Sequence, residues 1–186
     1  MIFVSAGHYP SKPGASWERF VEHDEAMIWA TNLAAQLAEI EINSLLVPTG
    51  ILRTKVDFIN NRLMNGDFAL EIHFNAARDG DNQPVGKGSE TLYYPESEKG
   101  KALAEVCQSA MTEFFLPDRG VKEGWYRMDK SKGADFFLAK TKCPAVILEP
   151  DFVHHSDMIE AFRDEAVVAL AEALKEYKGE LSGRND

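Results

Sequence analysis

Four side chains capable of metal or proton chemistry stand in short segments shaped to present them: His8, Glu22, His73 and Glu149. His8 ends the largely apolar run Ile2-Phe3-Val4-Ser5-Ala6-Gly7, and Glu22 opens a long amphipathic stretch. His73 lies in Leu70-Glu71-Ile72-His73-Phe74-Asn75, and Glu149 closes Pro144-Ala145-Val146-Ile147-Leu148. Two imidazoles and one carboxylate make a three-ligand zinc set that leaves a position open for water, the arrangement of hydrolytic zinc enzymes. A further carboxylate can then serve as general base.

Each residue alone has a plainer reading. A glutamate at a helix start favours the positive end of the helix dipole, and Asp24 and Glu25 share that preference with Glu22. A lone Gly-His after a strand is more often structural than ligating, and His73 could be a satisfied core histidine. Glu149 resists such a reading, because a carboxylate closing a buried strand is costly without a partner. His23 follows Glu22 in a helix and so points about 100° away from it, unable to share its metal. His154 and His155 are expected to cap or begin the last helix.

The elements that would position these groups follow from hydrophobic period and breakers. Residues 2–6 predict a buried strand, with Pro10, Pro13 and Gly14 marking the loop after it. Met27, Ala30, Leu33, Ala34, Leu37 and Ile40 recur at helical spacing across 22–41. A strand is expected at 45–47, a helix at 52–65, and a strand at 68–74 with Glu71 and His73 on one face. Residues 79–88 form a surface loop, 91–94 a strand and 98–115 a helix. Residues 117–135 lack a sustained period and predict a long loop holding Trp125, Tyr126 and Arg127, which either line the substrate groove or anchor the loop. A short strand is expected at 136–138, a buried one at 145–148 and the last helix at 157–177, with 179–186 frayed. The fold class is therefore α/β, one domain with an open, mixed but mostly parallel twisted sheet and helices on both faces. In such sheets sites form beyond the carboxyl ends of the strands. His8, His73 and Glu149 each stand at one.

The chain has 186 residues, within the range of one domain, and can bury a sizeable core without disulfides. Its net charge of −10 disfavours nucleic acid as a partner. No segment approaches the ~20 apolar residues of a membrane span, so membrane insertion is not expected. Met1 leads directly into a strand with no signal-peptide pattern, which predicts synthesis and folding in the cytoplasm. Cys107 and Cys143 are distant in sequence and in apolar surroundings, which predicts buried free thiols.

Beyond these signals, the chain resembles the zinc-dependent N-acetylmuramoyl-L-alanine amidases that cut bacterial cell wall. The resemblance runs from Gly7-His8 to Glu149-Pro150-Asp151-Phe152. It includes Pro13-Gly14-Ala15 ahead of Glu22, with Ala30 following, and Asn60 before the third strand. It continues through Ile72-His73-Phe74-Asn75-Ala76, Gly88-Ser89-Glu90-Thr91 with Tyr93, and Pro144 to Glu149. What the family implies is one Zn2+ held by His8, Glu22 and His73, with Glu149 as the catalytic carboxylate. It also implies peptidoglycan as substrate and cleavage of the amide between N-acetylmuramic acid and L-alanine. The catalytic domain would span 1–178. Three positions depart from the family pattern: Glu71 stands where serine is frequent, Lys55 where arginine is usual, and Asp151 where glycine is usual. Glu71 is expected to orient His73 from below the metal or to be a rival base, and the former is favoured. Asp151 puts the local backbone geometry in question.

Other functions stay open at this point. A zinc carboxypeptidase-like amidohydrolase acting on peptides or acylated amino acids uses a similar His/Glu/His set, and a non-catalytic wall-binding module would keep the fold without the reaction. Within the amidase reading, small size and the absence of a leader or wall-binding repeat suggest a monomeric phage-type lysin released by another protein.

Overall fold

The computed structural model describes residues 1–126 and 129–183. In chain order the elements are β1 (Ile2–Ala6), β2 (Ser16–Trp17), β3 (Phe20–Val21), α1 (Glu22–Glu39), β4 (Ser44–Leu46) and α2 (Leu52–Asn60). They continue with β5 (Phe68–Ile72), β6 (Glu90–Tyr93), α3 (Glu98–Thr112), β7 (Val121–Glu123), α4 (Phe136–Lys140), β8 (Ala145–Glu149) and α5 (Ser156–Gly183).

Six strands form one sheet in the order β4-β1-β5-β8-β6-β7. β4, β1, β5 and β8 run parallel. β6 pairs antiparallel with β8, and β7 pairs parallel with β6. The sheet is therefore mixed and mostly parallel, as its alternation with helices predicts. β1 is buried on both faces, which is why its sequence reads as a largely apolar run rather than as an alternation; β5 is buried on both faces as well although its sequence alternates, because Glu71 is paired with Lys55 within the fold.

The core splits cleanly across the sheet. Ile2, Val4, Leu70, Ile72, Val146 and Leu148 face one cluster, packed against apolar positions of α1, α3 and α5. Phe3, Ala69, Ala145 and Ile147 face the other, filled by Val56 and Ile59 of α2 and by Phe137 and Leu138 of α4. Helices thus cover both faces. On the larger side, the fully buried Trp29 donates its indole N–H to Glu25 at 3.1 Å. Arg163 of α5 reaches the same carboxylate at 2.6 Å and ties α5 to α1.

Several segments differ from expectation, among them the helix expected at 52–65, which ends at Asn60. Residues 136–138 are the start of helix α4, not a strand. Asp135 caps that helix by accepting from Phe137 N at 2.8 Å, a local signal stronger than the short apolar run. The long loop at 117–135 contains β7, whose three residues gain their structure from pairing with β6 rather than from any period of their own. The ribbon β2–β3 was hidden for the same reason, at two residues per strand. The final helix runs on to Gly183, because Leu181 continues the Leu174–Tyr177 stripe onto the core; residues 184–186 lie outside the described residues. Among the described residues, no helix is long and apolar enough to cross a membrane.

Candidate metal centre

Register brings the donors together. Ala6 pairs with Ile72 across β1 and β5, and Ile72 pairs with Leu148 across β5 and β8. The residues that follow each strand therefore leave the sheet at one edge, where Gly7 N donates to Ile72 O at 2.7 Å and His73 N to Leu148 O at 2.9 Å. His8 sits in the left-handed region at φ 57°, an unfavourable backbone for a non-glycine residue. Glu22 arrives from the other direction, at the first turn of α1. Its backbone is docked by Glu22 N to Ala15 O and His23 N to Pro13 O, both at 3.0 Å.

The three side chains converge on one carboxylate oxygen. His8 Nε2 lies 2.9 Å and His73 Nδ1 3.0 Å from Glu22 Oε1. One donor atom from each residue falls within 4.8 Å of the other two. The remaining Glu22 oxygen accepts from Ala15 N at 2.8 Å, so the carboxylate cannot swing away. Two glycines make room for the cluster. A methyl at Gly7 would stand 2.6 Å from the His73 ring, and one at Gly14, whose φ is +84°, would collide with Glu22 and His8.

Charge follows from this crowding. Burial pushes the Glu22 carboxyl up, but the His73 and His8 rings against it overcome that and hold it at about 2. For His73 burial favours the neutral ring, yet the Glu22 and Glu71 carboxylates raise its pKa to about 10. The cluster thus carries an excess of acceptors that only protons or a cation can satisfy. Such a donor set suits a divalent ion, which would displace the ring protons.

Glu149 lines the same cavity of about 370 Å³, together with His8, His73, Leu52, Leu92, Trp125 and Ile147. Burial raises its carboxyl to about 8, against the pull of His73 and helped by Glu90 and Glu22. Glu90 is its cross-strand neighbour on β6. Glu90 stays committed elsewhere: Arg119 holds it at 3.0 Å, Asn75 donates at 2.5 Å, and Lys122 is in contact. Two carboxyls side by side thus have different surroundings, Glu90 held by Arg119, Asn75 and Lys122 and Glu149 raised towards neutrality by burial.

The other candidates resolve simply. His23 points away, its Nδ1 2.7 Å from Gly7 O and its Nε2 3.2 Å from Thr49 Oγ1. His154 and His155 form the turn ahead of α5, with His155 Nδ1 3.1 Å from Asp151. Asp151 also accepts from Gly88 N and Phe152 N at 2.8 Å, and it is not among the left-handed residues, so its place after Glu149 is unstrained. Trp125 lines the cavity, Tyr126 is exposed, and Arg127 lies outside the described residues. Cys107 and Cys143 are free, and burial lifts both thiols to about 12, which removes them as nucleophiles. Glu71 is fully engaged beneath the centre: Ser5 Oγ donates at 3.1 Å, Lys55 Nζ at 2.9 Å, and His73 Nε2 lies at 3.3 Å. A carboxylate so occupied is a partner to His73 rather than a rival base.

Sequence reasoning did not find Glu90 with Arg119 and Lys122, or Asp135 in the cavity wall. The first three are joined by a β6–β7 pairing that no local pattern announces, whereas Asp135 is the cap of α4.

An open α/β sheet whose strand ends gather two imidazoles and a carboxylate that could hold a metal ion, with a further acid on the same cavity wall, fits a hydrolase. The chain belongs to the N-acetylmuramoyl-L-alanine amidase family, whose sequence model matches residues 2–176. It is thus an enzyme of the peptidoglycan hydrolases that cleave the bond between N-acetylmuramic acid and L-alanine. No curated protein matches the chain. Among solved structures, an N-acetylmuramoyl-L-alanine amidase from Clostridium difficile 630 superposes with a TM-score of 0.79 at 21% identity, covering 95% of each chain. The catalytic domain of CwlV, an amidase from Bacillus (Paenibacillus) polymyxa var. colistinus, gives 0.76 at 21% identity, covering 95% of this chain and 96% of that one. The catalytic domain of an endolysin targeting Clostridia difficile gives 0.73 at 21% identity, with 94% and 96% covered.

Proposed function

We propose that His8, Glu22 and His73 hold one zinc ion and that Glu149 moves the proton in hydrolysis of the muramoyl–alanine amide. The carrying observation is the approach of His8 Nε2 and His73 Nδ1 to Glu22 Oε1 within 3.0 Å, with Glu149 on the wall of the same cavity. A bound zinc ion supplies Lewis acidity, lowering the pKa of water and polarising a carbonyl.

The protein's own groups supply the rest. Glu149, lifted towards neutrality by burial, accepts a proton from the attacking water. The same carboxyl returns that proton to the alanine nitrogen, converting a poor leaving group into an amine. Glu90, pinned by Arg119 and Lys122, supplies negative charge beside Glu149 and keeps its proton affinity high. Leu52, Leu92, Ile147 and Trp125 make the wall apolar, which strengthens each electrostatic contact within it.

Digestion of purified peptidoglycan tests this reading. Mass spectrometry should detect free alanine amino termini on intact stem peptides, and a chelator should abolish them. Shortened stem peptides would instead indicate a peptidase, and binding without lysis a wall-recognition module. His73→Ala should lose zinc; stoichiometric zinc in that variant would refute the ligand set.

A further inference from the structure

We propose that Glu71 is a positioning residue that selects which nitrogen of His73 faces the metal, with Lys55 and Ser5 holding Glu71 in place. The inference rests on the zinc reading above. The His73 ring offers one nitrogen to each side: Nδ1 is 3.0 Å from Glu22 Oε1, and Nε2 is 3.3 Å from Glu71 Oε2. A neutral imidazole carries one proton. When Nε2–H is donated to Glu71, the lone pair stays on Nδ1 and points to the donor cluster. In the other tautomer Nδ1–H would point there and could not ligate.

Glu71 is built to give that instruction. Its two oxygens are divided, Oε1 accepting from Ser5 at 3.1 Å and Lys55 at 2.9 Å, which leaves Oε2 for His73. Ser5 is the register partner of Glu71 across β1–β5. Lys55 comes from α2 and also donates to Ala6 O. Lys55 and Glu71 are 2% and 1% exposed. A buried ion pair gives little net stability over an apolar pair of equal volume, so stability alone does not account for its presence here. Aiming the free oxygen at Nε2 does.

The test measures zinc affinity by chelator competition, together with ring-nitrogen NMR shifts of the zinc-loaded protein. The variants are Glu71→Gln and the double variant Lys55→Met/Glu71→Leu, which removes both charges so that neither is left unpaired. Wild type should show His73 bound through Nδ1 and protonated at Nε2. Glu71→Gln should bind zinc more weakly, and the double variant about 10–100-fold more weakly, with an unchanged circular dichroism spectrum. A folded double variant with wild-type zinc affinity, or wild-type His73 bound through Nε2, would overturn the positioning role alone. A wild-type protein that binds no zinc would overturn the metal reading and this inference together.

Discussion

Replacing Lys55 by Met tests the buried pair as an energetic object, separately from the metal. Methionine keeps the unbranched apolar stem that Lys55 threads between α2 and the sheet, and removes only the ammonium. Glu71 then keeps Ser5 at 3.1 Å and His73 at 3.3 Å but loses the cation at 2.9 Å. Removing one member of a buried pair costs about 3–5 kcal/mol. The two remaining contacts favour the lower end, about 3 kcal/mol. In a chain of this length each kcal/mol moves the melting temperature by about 2–4 °C, so a drop of roughly 6–12 °C is expected in chelator at pH 8. The pH dependence follows from what still faces Glu71. Burial pushes its carboxyl up, but His73 as well as Lys55 holds it down at about 2 in the intact protein. Without Lys55 the folded pKa rises from that value, so the deficit is full where Glu71 is ionised in both proteins and fades as pH falls through the variant's folded pKa. The deficit should therefore shrink, not grow, as the melt is carried from pH 8 into acid. The double variant Lys55→Met/Glu71→Leu, which strands no charge, should recover most of the loss. A single variant melting within a degree of wild type at pH 8 would refute this account, as would a deficit that grows towards acid.

Glu149→Gln should bind one equivalent of zinc yet lose about 10²–10⁴-fold in turnover, read by metal analysis beside a wall-lysis assay; undiminished lysis would reject its proton-transfer role. Gly7→Ala should lose zinc although the exchange is small, because its new methyl would stand 2.6 Å from the His73 ring. Equilibrium dialysis reads the outcome, and unchanged zinc content would disprove the steric argument. For the metal-free protein, the His73 pKa raised to about 10 contributes stability that is complete below about 6.5 and lost as pH rises through 10. Zinc held as proposed would replace that proton, so thermal melts between pH 7 and 10 should fall more steeply in chelator than with zinc, and parallel falls would count against it. Trp29→Ala, which empties a fully buried ring site and removes one donor from Glu25 while Arg163 still holds that carboxylate, should destabilise by about 3–5 kcal/mol in urea.

Much of this site could be read along the chain because its donors follow strong local signals. His8, His73 and Glu149 each end an apolar run, and Glu22 starts an amphipathic helix, so strand and helix termini could be assigned without tertiary information. The long alternation of 68–74 held Glu71 and His73 on one face, which is the arrangement that lets their side chains meet. What escaped depends on partners remote in sequence. Val121–Glu123 is a strand only because β6 lies beside it, and Glu90 has a role only because that pairing supplies Arg119 and Lys122. Phe136–Leu138 misled because three apolar residues satisfy either period, and the deciding signal was the cap at Asp135. The short β2–β3 ribbon had no period to detect, yet it precedes α1 directly and helps deliver Glu22.

The chain order of the strands also explains why the donors meet between β1 and β5 rather than elsewhere along the sheet edge. From β1 the chain crosses through α1 to β4 on one side, then returns through α2 to β5 on the other. Parallel crossovers are right-handed, so two that travel in opposite directions must lay their helices on opposite faces. That is observed, with α1 in one core cluster and α2 in the other. Reversal of direction leaves the carboxyl ends of β1 and β5 uncovered by either connection, and a crevice opens there. His8 and His73 are the residues just beyond those two ends. α1 starts at the rim of the same crevice, which brings Glu22, and α2 reaches beneath it, which brings Lys55 to Glu71. β8, parallel on the far side of β5, adds Glu149 at the same level, and the antiparallel β6 then sets Glu90 against it. The proposed ligand set, its support from below and its proposed proton carrier are therefore brought together by one topological reversal, and a change that kept all these residues but altered that connectivity would scatter them.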